Sequence, residues 1–239
     1  MGRAYSVREA SIKKTGAAKA KLYSNYAKEI YLIAKKGSSN PESNLPLKRI
    51  IDKARKEEVP TDIINRAIEK AKGSNESALE EVTYEGFGPG SSTLIIKCLT
   101  DNLNRTVSFV RAAFNKVNKS IGVTNSVSYN YDHLGICSFI SDKEEEIFEK
   151  LLAEGIEIID IENNNKKITI YSHPNDFNKV KDVLEQIIPN IDYIYDEVGM
   201  FPKEQVMLNE EDMIIFKKLY DLLEEIDDVV NIYHNVNMN

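Results

Sequence analysis

The 239-residue sequence is poor in the residues that build disulfide frameworks and metal sites. It has two cysteines, three histidines and no tryptophan. Cys98 and Cys137 lie in separate apolar runs, and their spacing matches neither a zinc motif nor a disulfide framework. No apolar run is long enough to span a membrane, and the N-terminus lacks the apolar core of a secretion signal. We therefore expect a cytoplasmic protein with buried, reduced thiols, no metal, no cofactor and no membrane partner.

The scarce histidines also give no sign of an active site. His133, His173 and His234 have no serine, cysteine or carboxylate at a spacing typical of a nucleophile or a metal ligand. The acidic run at 142–149 is typical of a charged helix face. The sequence therefore predicts a protein that is not an enzyme and has no small-molecule substrate.

Charge is divided unevenly along the chain. Residues 1–75 have 17 Lys and Arg against 8 Asp and Glu, a net charge of +9, whereas residues 76–239 have 14 against 30, a net charge of −16. The basic third is able to bind a polyanion that the acidic remainder repels. Because no apolar anchor accompanies the basic residues, this asymmetry favours nucleic acid over a membrane surface as the partner.

Hydrophobic periodicity predicts several folded units. Apolar residues at helical spacing predict three helices, at about 22–36, 46–59 and 61–72, followed by a linker near 73–78. Strand and helix patterns over 135–198 follow the order βαββαβ, which is ferredoxin-like. The strands and helix between 78 and 131 lack partners, which the C-terminal tail would supply. The predicted fold is α+β and multidomain, with these boundaries: 1–77 for a basic helical domain, 78–131 and 204–239 for a split α+β domain, and 132–203 for an inserted ferredoxin-like domain.

Polar residues at the expected element ends predict helix caps. Thr61 is expected to cap the third helix, Asn102 or Asp101 a helix at 103–117, and Asn209 the last helix. Ser141 and Glu144 have the spacing of a capping box, and the residues NSVSYNYD (125–132) alternate like a strand.

The basic residues of the first third fall in rows. Lys21, Lys28 and Lys35 are seven residues apart, which places them in one stripe along a helix, and Arg49, Lys53 and Lys56 form a second stripe. A basic arm precedes them, and Arg105 lies at a helix start, where an anion is readily bound. The candidate nucleic-acid-binding residues are Arg3, Lys13, Lys14, Lys21, Lys28, Lys35, Arg49, Lys53, Lys56 and Arg105.

Each of these assignments has an alternative. A lysine stripe also forms the solvated face of any soluble helix, although few acids lie near these stripes. Arg105 is equally suited to bridging a neighbouring loop. Asp62 and Arg66 have the i, i+4 spacing of an ion pair within a helix. Arg66, and with it Lys70, is therefore assigned a structural rather than a nucleic-acid-binding role. The glycines of YEGFGPG (84–90) lack the lysine of a phosphate-binding loop and predict a rigid hairpin.

Four strings resemble one known family. They are YEGFGPG (84–90), NRTVSFVRAAFNK (104–116), SVSYNYDHLG (126–135) and DDVVNIYHNV (227–236). The resemblance is to the YebC/PmpR family, which includes the mitochondrial translational activator of cytochrome c oxidase, and it runs essentially end to end. The first residues look more like the second bacterial subgroup. The resemblance implies a crescent of three domains, one helical and two α+β.

The resemblance also implies a function, at one of two levels. Some members are described as DNA-binding regulators of transcription, and others associate with ribosomes and ease stalls at proline-rich stretches. No helix-turn-helix with base-reading side chains is legible in the helical domain, and lysine rows suit backbone contact, which favours ribosomal RNA. The expected partner is nucleic acid, either DNA or ribosomal RNA. An adaptor that binds proteins through its acidic domains is the alternative.

Overall fold

The computed structural model describes residues 16–73 and 79–238. The helices in these ranges are α1 (Gly16–Lys36), α2 (Leu45–Lys56), α3 (Thr61–Lys72), α4 (Leu103–Asn115), α5 (Glu144–Ala153), α6 (Phe177–Ile187) and α7 (Glu210–Glu224). The strands are β1 (Glu80–Phe87), β2 (Thr93–Thr100), β3 (Ser120–Ile121), β4 (Tyr131–Ile140), β5 (Ile158–Asn164), β6 (Lys167–Ser172), β7 (Tyr193–Pro202) and β8 (Val229–His234). The predicted α+β multidomain fold is confirmed.

The first three helices pack around an apolar core of their own. Ile30 of α1, Leu47 of α2 and Ile64 of α3 are almost fully buried in it, as their helical spacing predicts. The start of α2 is fixed by Asn44, whose Oδ1 accepts a hydrogen bond from the N–H of Leu47 at 3.2 Å. Pro46 sits in the first turn of α2, where a missing N–H costs no hydrogen bond.

One sheet combines strands from both ends of the remaining chain. Its order is β3-β1-β2-β8, and every neighbouring pair is antiparallel. Helices α4 and α7 contribute Phe114 and Phe216 to the core that this sheet builds. A Cβ on Gly86 of β1 would lie 2.4 Å from the Phe114 ring, so only glycine lets α4 come this close. The C-terminal tail therefore completes the sheet that residues 80–121 begin.

The second sheet has ferredoxin-like topology. Its order β5-β6-β4-β7 is antiparallel throughout, and α5 and α6 supply apolar side chains to its core. Cys137 lies in this core and Cys98 in the core of the first sheet, both with free thiols. Burial raises the pKa of each thiol to about 12, in line with the expected buried cysteines. The domain boundaries at 77, 131 and 203 stay a prediction.

Several local expectations need correction. Thr61 does not cap α3, because Pro60 occupies the N-cap position and no side chain caps this helix. The capping box is absent too: α5 begins after Lys143, and Ser141 instead accepts from the N–H of Lys143. Residues 128–130 form a 3-10 turn before β4 rather than a strand. The caps at Asn102 and Asn209 are confirmed, at 3.0 Å and 2.8 Å.

Candidate nucleic-acid interface

Two lysines of the first stripe bind the C-terminal end of α7. The Nζ of Lys21 donates to the carbonyls of Glu224 and Ile226, and the Nζ of Lys28 donates to the carbonyl of Asp227. The last carbonyls of a helix have no partner within the helix and carry the negative end of its dipole, so cations stabilise them. Burial lowers the pKa of both lysines, because it penalises the charged ammonium.

Lys35, the third member, makes the same kind of contact within the helical domain. Its Nζ donates to the carbonyl of Gly73 at 2.8 Å, just beyond the end of α3. The first stripe is therefore formed, as its spacing predicts, but its ammonium groups bind backbone carbonyls of the same chain.

Arg49 of the second stripe is bound by the inserted ferredoxin-like unit. Its Nε and Nη2 lie 3.1 and 3.2 Å from the two carboxylate oxygens of Glu185, and Nη2 also donates to Asp182. Its Nη1 donates to the side-chain oxygen of Asn178 at 3.3 Å. Only 12% of the Arg49 side chain is exposed. This two-pronged arginine–carboxylate contact is the strongest geometry that such a pair adopts.

Lys53 contacts a carboxylate that a second lysine shares. Its Nζ lies 2.6 Å from Oδ1 of Asp196 on β7, whose Oδ2 lies 2.5 Å from the Nζ of Lys181 on α6. Burial alone would raise the pKa of Asp196, but the two ammonium groups outweigh it and hold this pKa below its usual range. Burial would lower the pKa of Lys53, yet Asp196 raises it. The charges therefore stabilise each other across the contact between α2 and β7.

Lys56 completes the stripe at the surface. Its Nζ lies 2.7 Å from Oδ1 of Asp192, and both side chains are mainly exposed. Arg49, Lys53 and Lys56 thus dock the helical domain on the acidic side chains of residues 182–196.

Arg105 sits at a junction between α4, α7 and the start of β8. Its Nη2 lies 3.2 and 3.1 Å from the two oxygens of Asp228 and 2.8 Å from Oδ1 of Asp101. The hydroxyl of Thr106 donates to Asp228 at 2.7 Å, and the Nζ of Lys28 lies 4.0 Å away. The hydrogen bonds that Arg105 donates to the carboxylates of Asp228 and Asp101 raise the pKa of its guanidinium. The geometry matches the bridging role that the sequence left open.

These contacts neutralise part of the positive charge of the helical domain. Residues 16–73 have thirteen cations and seven acids, a net charge of +6. Within residues 79–238, five carboxylates lie within 4.0 Å of those cations. They are Asp182, Glu185, Asp192, Asp196 and Asp228. Nucleic-acid binding by the two stripes stays a prediction, and a polyanion would compete there with acids of the same chain. Arg3, Lys13 and Lys14 lie outside the described residues.

The glycine-rich string forms the tight hairpin that its composition predicts. Gly90 has a φ of +58°, which a side chain disfavours, and the N–H of Gly88 donates to the carbonyl of Ser92 at 2.9 Å. Next to it, the buried carboxylate of Glu85 accepts hydrogen bonds from the N–H groups of Asn125, Val127 and Ser128. The string thus shapes a rigid corner of the first sheet.

The sequence reasoning missed one basic surface, the outer side of α4. Residues 102–131 contain four cations and no acid, although they belong to the acidic part of the chain. Arg111 and Lys116 of this run are exposed, and within 16–73 and 79–238 neither takes part in an ion pair. The acid-free run was the signal, and averaging the charge over residues 76–239 concealed it.

An open cleft of about 790 Å³ lies beside α4. It is lined by Phe109 of α4, by Lys116 just after this helix, by Lys28 of α1 and, beyond the end of α7, by Glu225 and Asp227. The Phe109 side chain is 51% exposed. Aromatic, cationic and anionic groups therefore face one solvent-filled space.

Other kinds of site find no support among the described residues. In these ranges no three His, Cys, Asp or Glu side chains come together as metal ligands would. None of the helices in the same ranges combines the length and apolar character that a membrane crossing requires.

The chain matches known proteins along nearly all of its length. The family model "TACO1/YebC protein N-terminal domain" matches residues 3–74, and "TACO1/YebC second and third domain" matches residues 79–236. A "probable transcriptional regulatory protein" of Alteromonas mediterranea is 41% identical and covers 98% of both chains. A relative of the same description from Vibrio parahaemolyticus is 42% identical over the full length of both.

A solved structure agrees with these relatives. The crystal structure of a conserved hypothetical protein from Aquifex aeolicus superposes with a TM-score of 0.73 at 32% identity, covering 94% of this chain and 92% of the other. The residues that suggested the YebC resemblance thus lie in a chain whose helical part and α+β parts each match their own family model. The protein belongs to the TACO1/YebC family, whose relatives carry the name of transcriptional regulatory proteins.

Proposed function

We propose that the protein is a non-enzymatic regulator of gene expression that acts by binding nucleic acid. The observation that carries this proposal is the local excess of positive charge in two segments of an acidic chain. Residues 1–15 have four cations and one acid, and residues 102–131 have four cations and none. Such surpluses in a chain of net charge −7 match a partner with regularly spaced phosphates. The names of the relatives support the regulatory role.

At the level of mechanism, we favour the ribosome over a DNA operator. Lysine-rich surfaces contact phosphates and carry no sequence information, which suits the fixed shape of ribosomal RNA. On this proposal the protein acts in the cytoplasm as a ribosome-associated translation factor that eases stalls at proline-rich stretches, as the family resemblance implies. Regulation of transcription through DNA is the second candidate, and the relatives' printed names favour it.

Two measurements on the full-length protein separate these levels. The first is co-sedimentation with ribosomes through a sucrose cushion at physiological salt. The second is selection from a random duplex DNA library. We expect retention on ribosomes together with weak discrimination among duplexes. A single enriched duplex bound about a thousandfold more tightly than random DNA would instead identify a transcription factor.

A pair of charge-matched variants tests the basic arm. Lys13→Glu with Lys14→Glu should reduce ribosome retention, whereas Lys217→Glu with Lys218→Glu changes the net charge equally on an exposed face of α7 and should not. Equal losses would show that net charge alone matters. If the unmodified protein binds neither ribosomes nor any nucleic acid at physiological salt, the adaptor that binds proteins through acidic domains replaces this proposal.

A further inference from the structure

The exposed side of α4 has the composition of a nucleic-acid-binding helix. Val110 and Phe114 on the inner side are fully buried against the first sheet. The outer side presents Asn104, Ser108 and Arg111, followed by the residues of its last turn, Asn115 and Lys116. Short amides, hydroxyls and cations without acids are the groups that contact base edges and phosphates.

The two free cations of this side point to a polyanion. Arg105 at the start of α4 is already neutralised by Asp228 and Asp101. Arg111 and Lys116, in contrast, have no ion-pair partner in the described part of the chain. They are about 7.5 Å apart along the helix axis but about 140° apart around it, so they lie at opposite margins of the exposed side, and a strand must cross this side to reach both.

Phe109 supplies a flat apolar surface on the same margin of the helix as Lys116. Its exposed ring borders the cleft between α4, α1 and the end of α7. Successive bases stack on exposed rings in proteins that bind single strands. The carboxylates of Glu225 and Asp227, which also line the cleft, are acceptors for the amino groups of a base edge.

We propose that this surface binds nucleic acid with unpaired bases, with phosphates on Arg111 and Lys116 and one base stacked on Phe109 in the cleft. The inference rests on the proposed function, since it names the chemistry of the same partner. A fully paired duplex holds its bases in the stack and cannot fill the cleft, so a folded RNA with loops or bulges fits best.

Two substitutions at Phe109 separate stacking from simple apolar contact. Phe109→Leu keeps an apolar side chain and removes the ring, and Phe109→Tyr keeps the ring. The probes are an RNA hairpin with an eight-base loop, the same stem fully paired, and a DNA hairpin of the same loop. We expect Phe109→Leu to weaken hairpin binding about 5- to 150-fold, the range of one base–aromatic stack, and Phe109→Tyr to bind like the unmodified protein. The fully paired stem should bind all three proteins alike.

The cations are tested through the salt dependence of binding. Neutralising both with Arg111→Gln and Lys116→Gln removes two phosphate contacts. The slope of log K against log salt is negative, and its magnitude should therefore decrease by about 1.4 on single-stranded segments. Lys217→Gln with Lys218→Gln on α7 removes the same charge and should leave the slope unchanged. Comparison of the RNA and DNA hairpins shows whether the 2′-hydroxyl contributes.

The outcomes distinguish this inference from the function on which it rests. If the unmodified protein binds the hairpin and Phe109→Leu, confirmed as folded by circular dichroism, binds equally well, the inference is wrong and the proposed function stands. Equal slopes for the α4 and α7 variants would also refute it. If the unmodified protein binds none of the probes and no ribosomes, both proposals fail together.

Discussion

Two sets of cations, one on α2 and one on or just after α4, have different surroundings in the folded chain. The stripe of Arg49, Lys53 and Lys56 on α2 meets carboxylates of the ferredoxin-like unit at 2.6 to 3.1 Å. Arg111 and Lys116 on α4 face solvent. The α2 stripe has more cations and is the predicted phosphate-binding surface, but Arg111 and Lys116 are the cations that remain accessible to a polyanion.

The comparison shows that the excess positive charge of a basic domain can be neutralised in two ways. A basic domain attracts a polyanion from solution, and it attracts an acidic domain of its own chain with the same force. The acidic domain of the same chain is present at the higher effective concentration, because the two domains are covalently linked. Positive charge indicates an external partner only after the internal partners have been counted.

The largest expected effect is that of reversing Arg49. Arg49→Glu removes hydrogen bonds between charged groups, which contribute about 1.5–3 kcal/mol, and adds the repulsion of a third carboxylate beside Asp182 and Glu185. We expect the helical domain to separate from the ferredoxin-like unit. Hydrogen exchange of α2 and α6, followed by mass spectrometry, should rise, and the radius of gyration in X-ray scattering should increase.

The reverse exchange provides the control for Arg49. Combining Arg49→Glu with Glu185→Arg restores one opposite-charge pair across the same interface, so part of the exchange protection should return. If Arg49→Glu leaves exchange and radius unchanged, the α2 stripe does not hold the domains together.

An effect of intermediate size on stability is expected when the pH is lowered. The folded-state pKa of Asp196 lies below its usual value, so its stabilisation is present above the unfolded pKa of about 3.9 and is lost as pH falls through the folded pKa. Asp196→Asn removes this contribution, which for hydrogen bonds to charged groups is about 1.5–3 kcal/mol. The stability difference between the unmodified protein and Asp196→Asn, measured by urea unfolding, should therefore shrink as pH falls from 6 to 3. A constant difference would contradict this assignment.

The smallest effect belongs to Lys56. Its pair with Asp192 is exposed on both sides, and such pairs contribute about 0–1 kcal/mol. Lys56→Ala should leave hydrogen exchange of α2 nearly unchanged, and added salt should not increase the difference. If Lys56→Ala lost as much exchange protection of α2 as Arg49→Glu does, the three cations of the stripe would act together rather than through Arg49 alone.

Periodicity and topology rules predicted most of the fold. The helical spacing of Leu47 and Ile51 placed α2 correctly, and the strand order of residues 135–198 identified the ferredoxin-like topology. The unpartnered strands near 80–100 correctly required the tail, which supplies β8. The errors lie at element ends, where Pro60 rather than Thr61 precedes α3, because caps depend on local geometry that several residues can satisfy.

The candidate site was less predictable, because it depends on contacts between distant residues. Lys21 contacts a carbonyl 203 residues away, and Arg49 a carboxylate 136 residues away. A helical stripe reveals which side chains share a face but not what that face meets. Phe109 illustrates the converse: its spacing places it beside buried residues of α4, and only the fold shows that its ring is half exposed.

The order of the strands along the chain sets an order on how the protein folds during synthesis. The first sheet pairs β2 with β8, so its fourth strand leaves the ribosome after all the other strands. The carbonyls at 224–227 that hold Lys21 and Lys28 emerge equally late. The ferredoxin-like unit has all its strands within residues 131–202 and is therefore complete earlier. Until residues 224–227 emerge, the nascent protein displays a basic helical domain in which Lys21 and Lys28 still lack these partners.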